Sequence, residues 1–119
     1  MADYIAMIKG EDTVQVCLYV EDAKMLAIGD KMNEINEEAY MNGYNWEAFL
    51  NYYFRKNDPD VLEDMGSDPE AGMYAAFYPL TPENEQRAKK FVDAVRSLIE
   101  NEEELDRIVE ENGDEIEWD

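Results

Sequence analysis

The sequence predicts an α+β domain in which about four helices pack on a small, mostly antiparallel sheet. Three observations support this prediction: two strand-like apolar segments at the start, a central apolar strand over 73-78, and helical apolar periodicity on both sides of it. Strands separated by pairs of helices are typical of the α+β class. With 119 residues, 1-119 is long enough for a single domain with its own core.

The opening hairpin is predicted from Tyr4–Ile8 and Thr13–Val20, which the turn Gly10-Glu11-Asp12 joins. The second segment alternates, and one face of it carries only aliphatic side chains: Val14, Val16, Leu18 and Val20. Cys17, on the other face, is the single cysteine of the chain, which excludes an internal disulfide and suits a reducing cytoplasm. We expect it to be a small buried hydrophobe.

Helical periodicity follows in two segments. From Ala23 to about Tyr40 the apolar residues recur at three- and four-residue steps, namely Met25, Ile28, Met32, Ile35 and Ala39. We expect Asn42-Gly43 to end this helix and Asn45 to cap the next. The second helix carries the densest aromatic face of the chain, with Trp46, Phe49, Leu50, Tyr53 and Phe54. It is predicted to end near Asn57, because Asp58 precedes Pro59.

The stretch Gly66 to Tyr78 links the two halves of the chain. Asp68-Pro69 predicts a turn, and the strand over 73-78 then places Tyr74, Ala76 and Tyr78 on one face. Glu70 lies between this turn and the strand. Its carboxylate could brace the turn by accepting from exposed backbone amides, or it could anchor a basic side chain of a partner.

Two helices are predicted in the last third of the chain. Thr81-Pro82-Glu83 combines an N-cap hydroxyl, a proline at the first helical position and an acid in the first turn. Asn101 with Glu104 resembles a capping box that opens another helix, which Asn112-Gly113 closes. Acids and hydrophobes then alternate, which predicts either a charged edge strand over 115-118 or a loose acidic tail over 114-119.

The charge balance restricts the partners that this protein can have. Thirty acidic residues oppose ten basic ones, so the net charge is −20, and half of it lies in the last twenty residues. Such a field repels nucleic acid, anionic lipid and acidic substrates, and it attracts basic protein surfaces. The acidic residues therefore form either a solubilising surface or a surface shaped for a basic partner.

The sequence argues against catalysis. The chain has no histidine, which excludes histidine-based triads and the usual zinc sites, and no phosphate-binding glycine loop or serine elbow is present. Acids crowd residues 58–64, but this segment lacks the glycine and terminal glutamate of a calcium loop. We therefore predict no enzyme, no cofactor and no metal. No apolar run reaches membrane length and the N-terminus lacks a basic signal region, so we expect a cytoplasmic protein.

Two segments together resemble a known family. Asn42-Gly43-Tyr44-Asn45-Trp46-Glu47 opens the aromatic helix, and Ser67-Asp68-Pro69-Glu70-Ala71-Gly72-Met73-Tyr74 follows about twenty residues later. This pair resembles the bacterial polymorphic-toxin immunity proteins of the immunity protein 51 family, over about Asn42 to Ile99. The resemblance implies a small cytoplasmic protein that binds and neutralises a cognate toxin without catalysis.

The predicted partner is accordingly a toxin domain with a basic surface, and neither nucleic acid nor a membrane. The candidate partner-binding residues are Tyr44, Glu47, Asp68, Glu70, Glu102, Glu103, Asp106, Glu110, Asp114 and Glu117. Two other functions stay open: an acidic adaptor or nucleic-acid mimic that binds basic host proteins, and a carboxylate enzyme that uses Asp68 or Glu70 with a metal. The many tyrosines could also cover a contact between copies of the chain, a homo-oligomer.

Overall fold

The sheet has four strands, and every pairing between neighbours is antiparallel. The structure, a computed structural model, describes residues 4–118. The strands are β1 (Ile5–Lys9), β2 (Thr13–Tyr19), β3 (Gly66–Pro69) and β4 (Met73–Pro79), in the order β1-β2-β4-β3. The opening hairpin and the internal position of the strand predicted at 73-78 are confirmed.

The helices are α1 (Ala23–Ile35), α2 (Gly43–Asn57), α3 (Pro82–Glu100) and α4 (Glu102–Asn112), with short 3-10 helices at Pro59–Leu62 and Gly113–Glu115. α3 packs across β1, β2 and β4, while α2 packs against β4 and β3. α4 packs against α1 and α3. The α+β fold is therefore as predicted. Among residues 4–118, no helix is both long enough and apolar enough to cross a membrane.

The core lies between one face of the sheet and the helices. The sheet contributes the aliphatic face of β2 and the tyrosine face of β4, both of which are buried. α2 contributes Trp46, Phe49 and Phe54, and the ring centroids of Phe54 and Phe91 lie 5.0 Å apart. Each such side chain contributes about 1.5–3 kcal/mol when it is fully buried, so this aromatic layer stabilises the fold strongly.

α1 is shorter than its apolar periodicity predicted. It ends at Ile35, and the Asn36 N–H donates to the Met32 carbonyl. The Asn33 side chain donates to the Glu37 carbonyl at 3.1 Å, so a side chain replaces the next helical hydrogen bonds. Asn42, and not Asn45 as predicted, caps α2, since its side chain accepts from the Asn45 N–H at 2.9 Å.

The predicted turn at Asp68-Pro69 is wrong. Both residues lie in β3, and the turn is formed by residues 70–72. Proline has no backbone N–H to donate. It is tolerated in β3 because this is an edge strand, whose outer side has no neighbouring strand to accept such a hydrogen bond. The backbone of Glu70 closes the turn, with its N–H donating to the Met73 carbonyl at 2.7 Å. No hydrogen bond to the Glu70 carboxylate occurs within residues 4–118, so this side chain is not the brace.

The edge strand proposed over 115-118 is not formed. Gly113–Glu115 is a 3-10 helix, Ile116 is buried in the core, and the Trp118 Nε1–H donates to the Gly113 carbonyl at 3.1 Å. The apolar side chains of this segment pack against the helices, which the alternation alone did not reveal. Asp119 lies outside the described residues.

Candidate functional site

The two segments that carry the family resemblance meet in the structure. The Gly43 N–H, at the start of α2, donates to the Ala71 carbonyl at 3.1 Å. A Cβ at Gly43 would overlap the carbonyl oxygens of Glu70 and Met73, so only glycine lets α2 begin against this turn. The Ser67 hydroxyl donates to the Glu47 carboxylate at 2.5 Å, which joins β3 to α2 a second time.

The loop before α2 is held in place by one buried asparagine. The Asn45 Nδ2 donates to the Tyr40 carbonyl at 2.7 Å and to the Glu38 carbonyl at 3.4 Å. Gly29 of α1 admits this loop, because a Cβ there would lie 3.0 Å from the Met41 Cβ. Tyr40 is thereby presented to solvent with 70% of its surface exposed. The sequence therefore builds a fixed loop that displays an aromatic side chain.

An acidic groove of about 350 Å³ opens between this loop, α1 and the turn of residues 70–72. Its carboxylates are Glu21 and Asp30, and no lysine or arginine lines it. Leu26, which is 47% exposed, and Tyr40 add apolar surface. The full lining consists of Val20, Glu21, Leu26, Gly29, Asp30, Asn33, Tyr40, Met41, Asn42, Ala71 and Gly72. Its chemistry suits a lysine or arginine side chain with an aliphatic stem.

A smaller aromatic cleft, of about 240 Å³, lies on the other side of the α2 start. It brings together three predicted partner-binding residues, Tyr44, Glu47 and Glu117. Arg55 and Trp118 also line it, so the cleft contains a base as well as two carboxylates. This charge balance makes it less selective for a basic ligand than the acidic groove.

The other predicted residues are dispersed. Asp68 lies exposed on the edge strand β3, and Glu70 lies exposed in the adjacent turn. The remaining acids are on α4 and the following 3-10 helix, where Glu102, Glu103, Glu110 and Asp114 are exposed. Asp106 is instead paired with Lys31 of α1, at 3.4 Å. The structure thus separates the α4 acids from the residues around the α2 start.

Sequence reasoning did not assign the groove residues Glu21, Leu26 and Asp30 to a site. Glu21 and Asp30 were two acids among thirty, and their proximity depends on how α1 packs beside the turn. The one available signal was Gly29, a glycine inside a helix. Such a glycine indicates a close approach by another part of the chain.

Ion pairs within the protein neutralise part of its negative charge. Arg107 lies between Glu104 and Glu111, and its hydrogen bond holds the pKa of Glu104 below the usual value. Hydrogen bonds from Lys90 and Arg87 lower the pKa of Asp60 in the acidic loop at residues 58–64. Arg87 and Lys90 of α3 and Arg107 of α4 are therefore already engaged by neighbouring carboxylates.

No cluster of metal ligands is formed within residues 4–118. Among these residues, no three acidic or cysteine side chains are placed to hold a metal ion. Burial raises the pKa of Cys17, whose thiol lies beside the Gln15 amide at 3.5 Å. A raised pKa reduces the thiolate fraction, so Cys17 is a poor nucleophile, in agreement with its predicted role as a buried hydrophobe.

Comparison with known protein families matches residues 5–114 to immunity protein 51. The chain belongs to the immunity protein 51 family. The match covers both segments of the predicted resemblance and also the opening hairpin and all of α4, which the resemblance did not reach. Searches of curated proteins and of solved structures found no significant match. Membership of an immunity protein family indicates a role in toxin neutralisation.

Proposed function

We propose that this immunity protein neutralises a cognate bacterial toxin by binding it directly, with electrostatic assistance and without catalysis. The observation that carries the proposal is the family match over residues 5–114 in a chain of net charge −20. A toxin domain with a basic surface would be attracted to this field, which raises the association rate. The single, buried Cys17 is compatible with a cytoplasmic site of action.

Two acidic surfaces support the electrostatic part of this proposal. The exposed acids of α4 and the C-terminal segment, including Glu102, Glu103 and Glu110, supply much of the long-range field. The acidic groove, with Glu21 and Asp30, offers a concave position for a basic side chain. Tyr44 and Tyr40, both exposed near the α2 start, would add aromatic contacts of the kind that dominate interface energies.

The test is to measure binding of the toxin domain encoded beside this gene, at increasing ionic strength. We expect a stable complex, protection of toxin-expressing cells, and an association rate that falls at least about tenfold between about 0.02 M and 0.5 M salt, because the Debye length shrinks. Sucrose at matched osmolality serves as the control. The absence of binding would exclude neutralisation by direct contact, and a salt-independent rate would exclude electrostatic assistance.

A further inference from the structure

One face of the sheet is left open by the helices. The register places four rows of side chains on it: Thr13 and Pro79; then Ile8, Gln15, Phe77 and Gly66; then Ala6, Cys17, Ala75 and Asp68; then Tyr19 and Met73. We call these twelve residues the open sheet face. None of them belongs to the buried core cluster that the helices cover. Ile8, Tyr19 and Phe77 are 48%, 38% and 39% exposed.

The composition of this face is unusual for this protein. Charged residues make up 34% of the chain, yet Asp68 is the only charged residue of the twelve. A sheet face that contacts only water normally carries polar side chains, which alternate along each strand with the apolar side chains of the core face. Contiguous exposed apolar surface of this kind marks a contact site on soluble proteins.

The open sheet face has small side chains near its centre. Cys17 and Ala75, both of which are buried, lie between the row that contains Phe77 and the row that contains Tyr19. Phe77 lies across the edge strand at Gly66, where a Cβ would overlap its ring. An exposed apolar sheet surface suits contact with another folded protein better than the capture of a small molecule, which requires a concave site.

The turns around this face carry negative charge only. Residues 10–12, 20–22, 63–65 and 70–72, which flank the strands, contain seven acids and no base: Glu11, Asp12, Glu21, Asp22, Glu63, Asp64 and Glu70. Lys9 is the one basic residue of the four strands, and its Nζ lies 2.7 Å from Glu85 of α3, on the helix side. The other nine bases of the chain lie on the four helices.

We propose that the open sheet face is the surface that docks the toxin, through a partner surface with an apolar centre and a basic rim. This inference rests on the proposed function and locates its contact. An apolar centre inside a charged rim is the usual anatomy of a protein interface. The acidic groove adjoins the face, because Val20 of its lining directly follows Tyr19 and Gly72 of its lining directly precedes Met73.

Charge favours the toxin over a second copy of this chain as the occupant. Pairing two copies through this face would bring together two sets of acidic turns on chains of net charge −20. Like charges across an interface oppose association, whereas a basic rim relieves the repulsion. Four strands spaced about 4.8 Å apart and about 20 Å long give a footprint of roughly 400 Å², half of the about 800 Å² that a partner usually buries. The acidic turns must therefore contribute to the contact area as well.

The first experiment removes apolar surface from this face. Ile8→Thr/Tyr19→Thr keeps side chains that suit strands, so the fold is retained. We expect the dissociation constant for the neighbouring-gene toxin domain to rise at least about tenfold, mainly through faster dissociation. Ile35→Thr is the matched control, since Ile35 is a similarly exposed isoleucine, at 37%, on α1. Thermal unfolding of each variant verifies folding.

A second comparison locates the electrostatic contact. Glu11→Gln/Asp12→Asn/Glu70→Gln and Glu102→Gln/Glu103→Gln/Glu110→Gln remove the same charge, the first triple beside the open sheet face and the second on α4. We expect the first triple to slow association more, because fields between exposed charges decay within about 10 Å at 0.1 M salt. An equal or larger effect of the α4 triple would overturn the proposed location.

The outcomes separate this inference from the proposed function. If the wild-type protein binds the toxin domain and Ile8→Thr/Tyr19→Thr binds equally well, the docking surface is wrong and neutralisation by binding stands. If the wild-type protein does not bind, both proposals fall. A wild-type dimer in sedimentation that the double variant dissociates would assign the face to a second copy and overturn the inference.

Discussion

Two buried tyrosines of β4, Tyr74 and Tyr78, differ in the hydrogen bonding of their hydroxyl groups. The Tyr78 hydroxyl donates to the Val61 carbonyl at 2.8 Å, and this bond ties the strand to the 3-10 helix at Pro59–Leu62. The Tyr74 hydroxyl, four residues earlier on the same face, is buried and has no hydrogen-bond partner among residues 4–118. Burial raises the pKa of both side chains, so both are neutral at pH 7.

We therefore predict opposite effects of the same substitution. Tyr78→Phe should lower the free energy of unfolding by about 1 kcal/mol, since it removes a buried hydrogen bond and leaves the Val61 carbonyl unpaired. Tyr74→Phe removes an unpaired buried hydroxyl and should leave stability unchanged or raise it. Urea unfolding of both variants checks this. A loss of stability in Tyr74→Phe as large as that in Tyr78→Phe would contradict it.

At the scale of elements, local sequence signals predict the N-cap of α3 correctly but not the N-cap of α4. The start of α3 is predicted correctly, because Thr81 and Pro82 act on backbone groups only a few residues away. The Thr81 hydroxyl accepts a hydrogen bond from the Asn84 N–H at 3.0 Å. The capping box predicted at the start of α4 is wrong. The Asn101 side chain makes no capping bond, and its backbone N–H instead closes α3 on the Ser97 and Leu98 carbonyls.

These two residues give a paired prediction. Thr81→Ala should lower the free energy of unfolding by about 1 kcal/mol, the typical value of an N-cap side chain. Asn101→Ala should have a smaller effect, because no capping bond is lost. Thermal or urea unfolding of both variants measures the difference. Equal losses would show that Asn101 caps α4 after all.

At the scale of the whole molecule, the net charge of −20 acts on stability as well as on partners. Many of the thirty acids are exposed, and only some have a basic neighbour, as Glu104 and Asp60 do. Repulsion among the others destabilises the compact state. The chain carries this excess charge although repulsion opposes folding, which is consistent with a role in attracting a basic partner.

Added salt should accordingly stabilise the protein. We expect the melting temperature at pH 7 to rise by several degrees between about 0.01 M and 0.2 M sodium chloride, because screening weakens repulsion between carboxylates more than it weakens the few ion pairs. Differential scanning calorimetry measures the shift, and sucrose at matched osmolality separates charge screening from general solute effects. A melting temperature that is unchanged or lower in salt would contradict the repulsion argument.

The sequence by itself determined the α+β class, the alternation of β2, the aromatic face of α2 and the start of α3, because these depend on periodicity and on contacts between near neighbours. Tertiary structure decided where α1 ends, how Ile116 and Trp118 pack, and that Gly43 lies against the turn at residues 70–72. It also decided that Ile8, Tyr19 and Phe77 share an open face. Those features arise from contacts between distant segments, and a residue's own neighbours in sequence do not specify them.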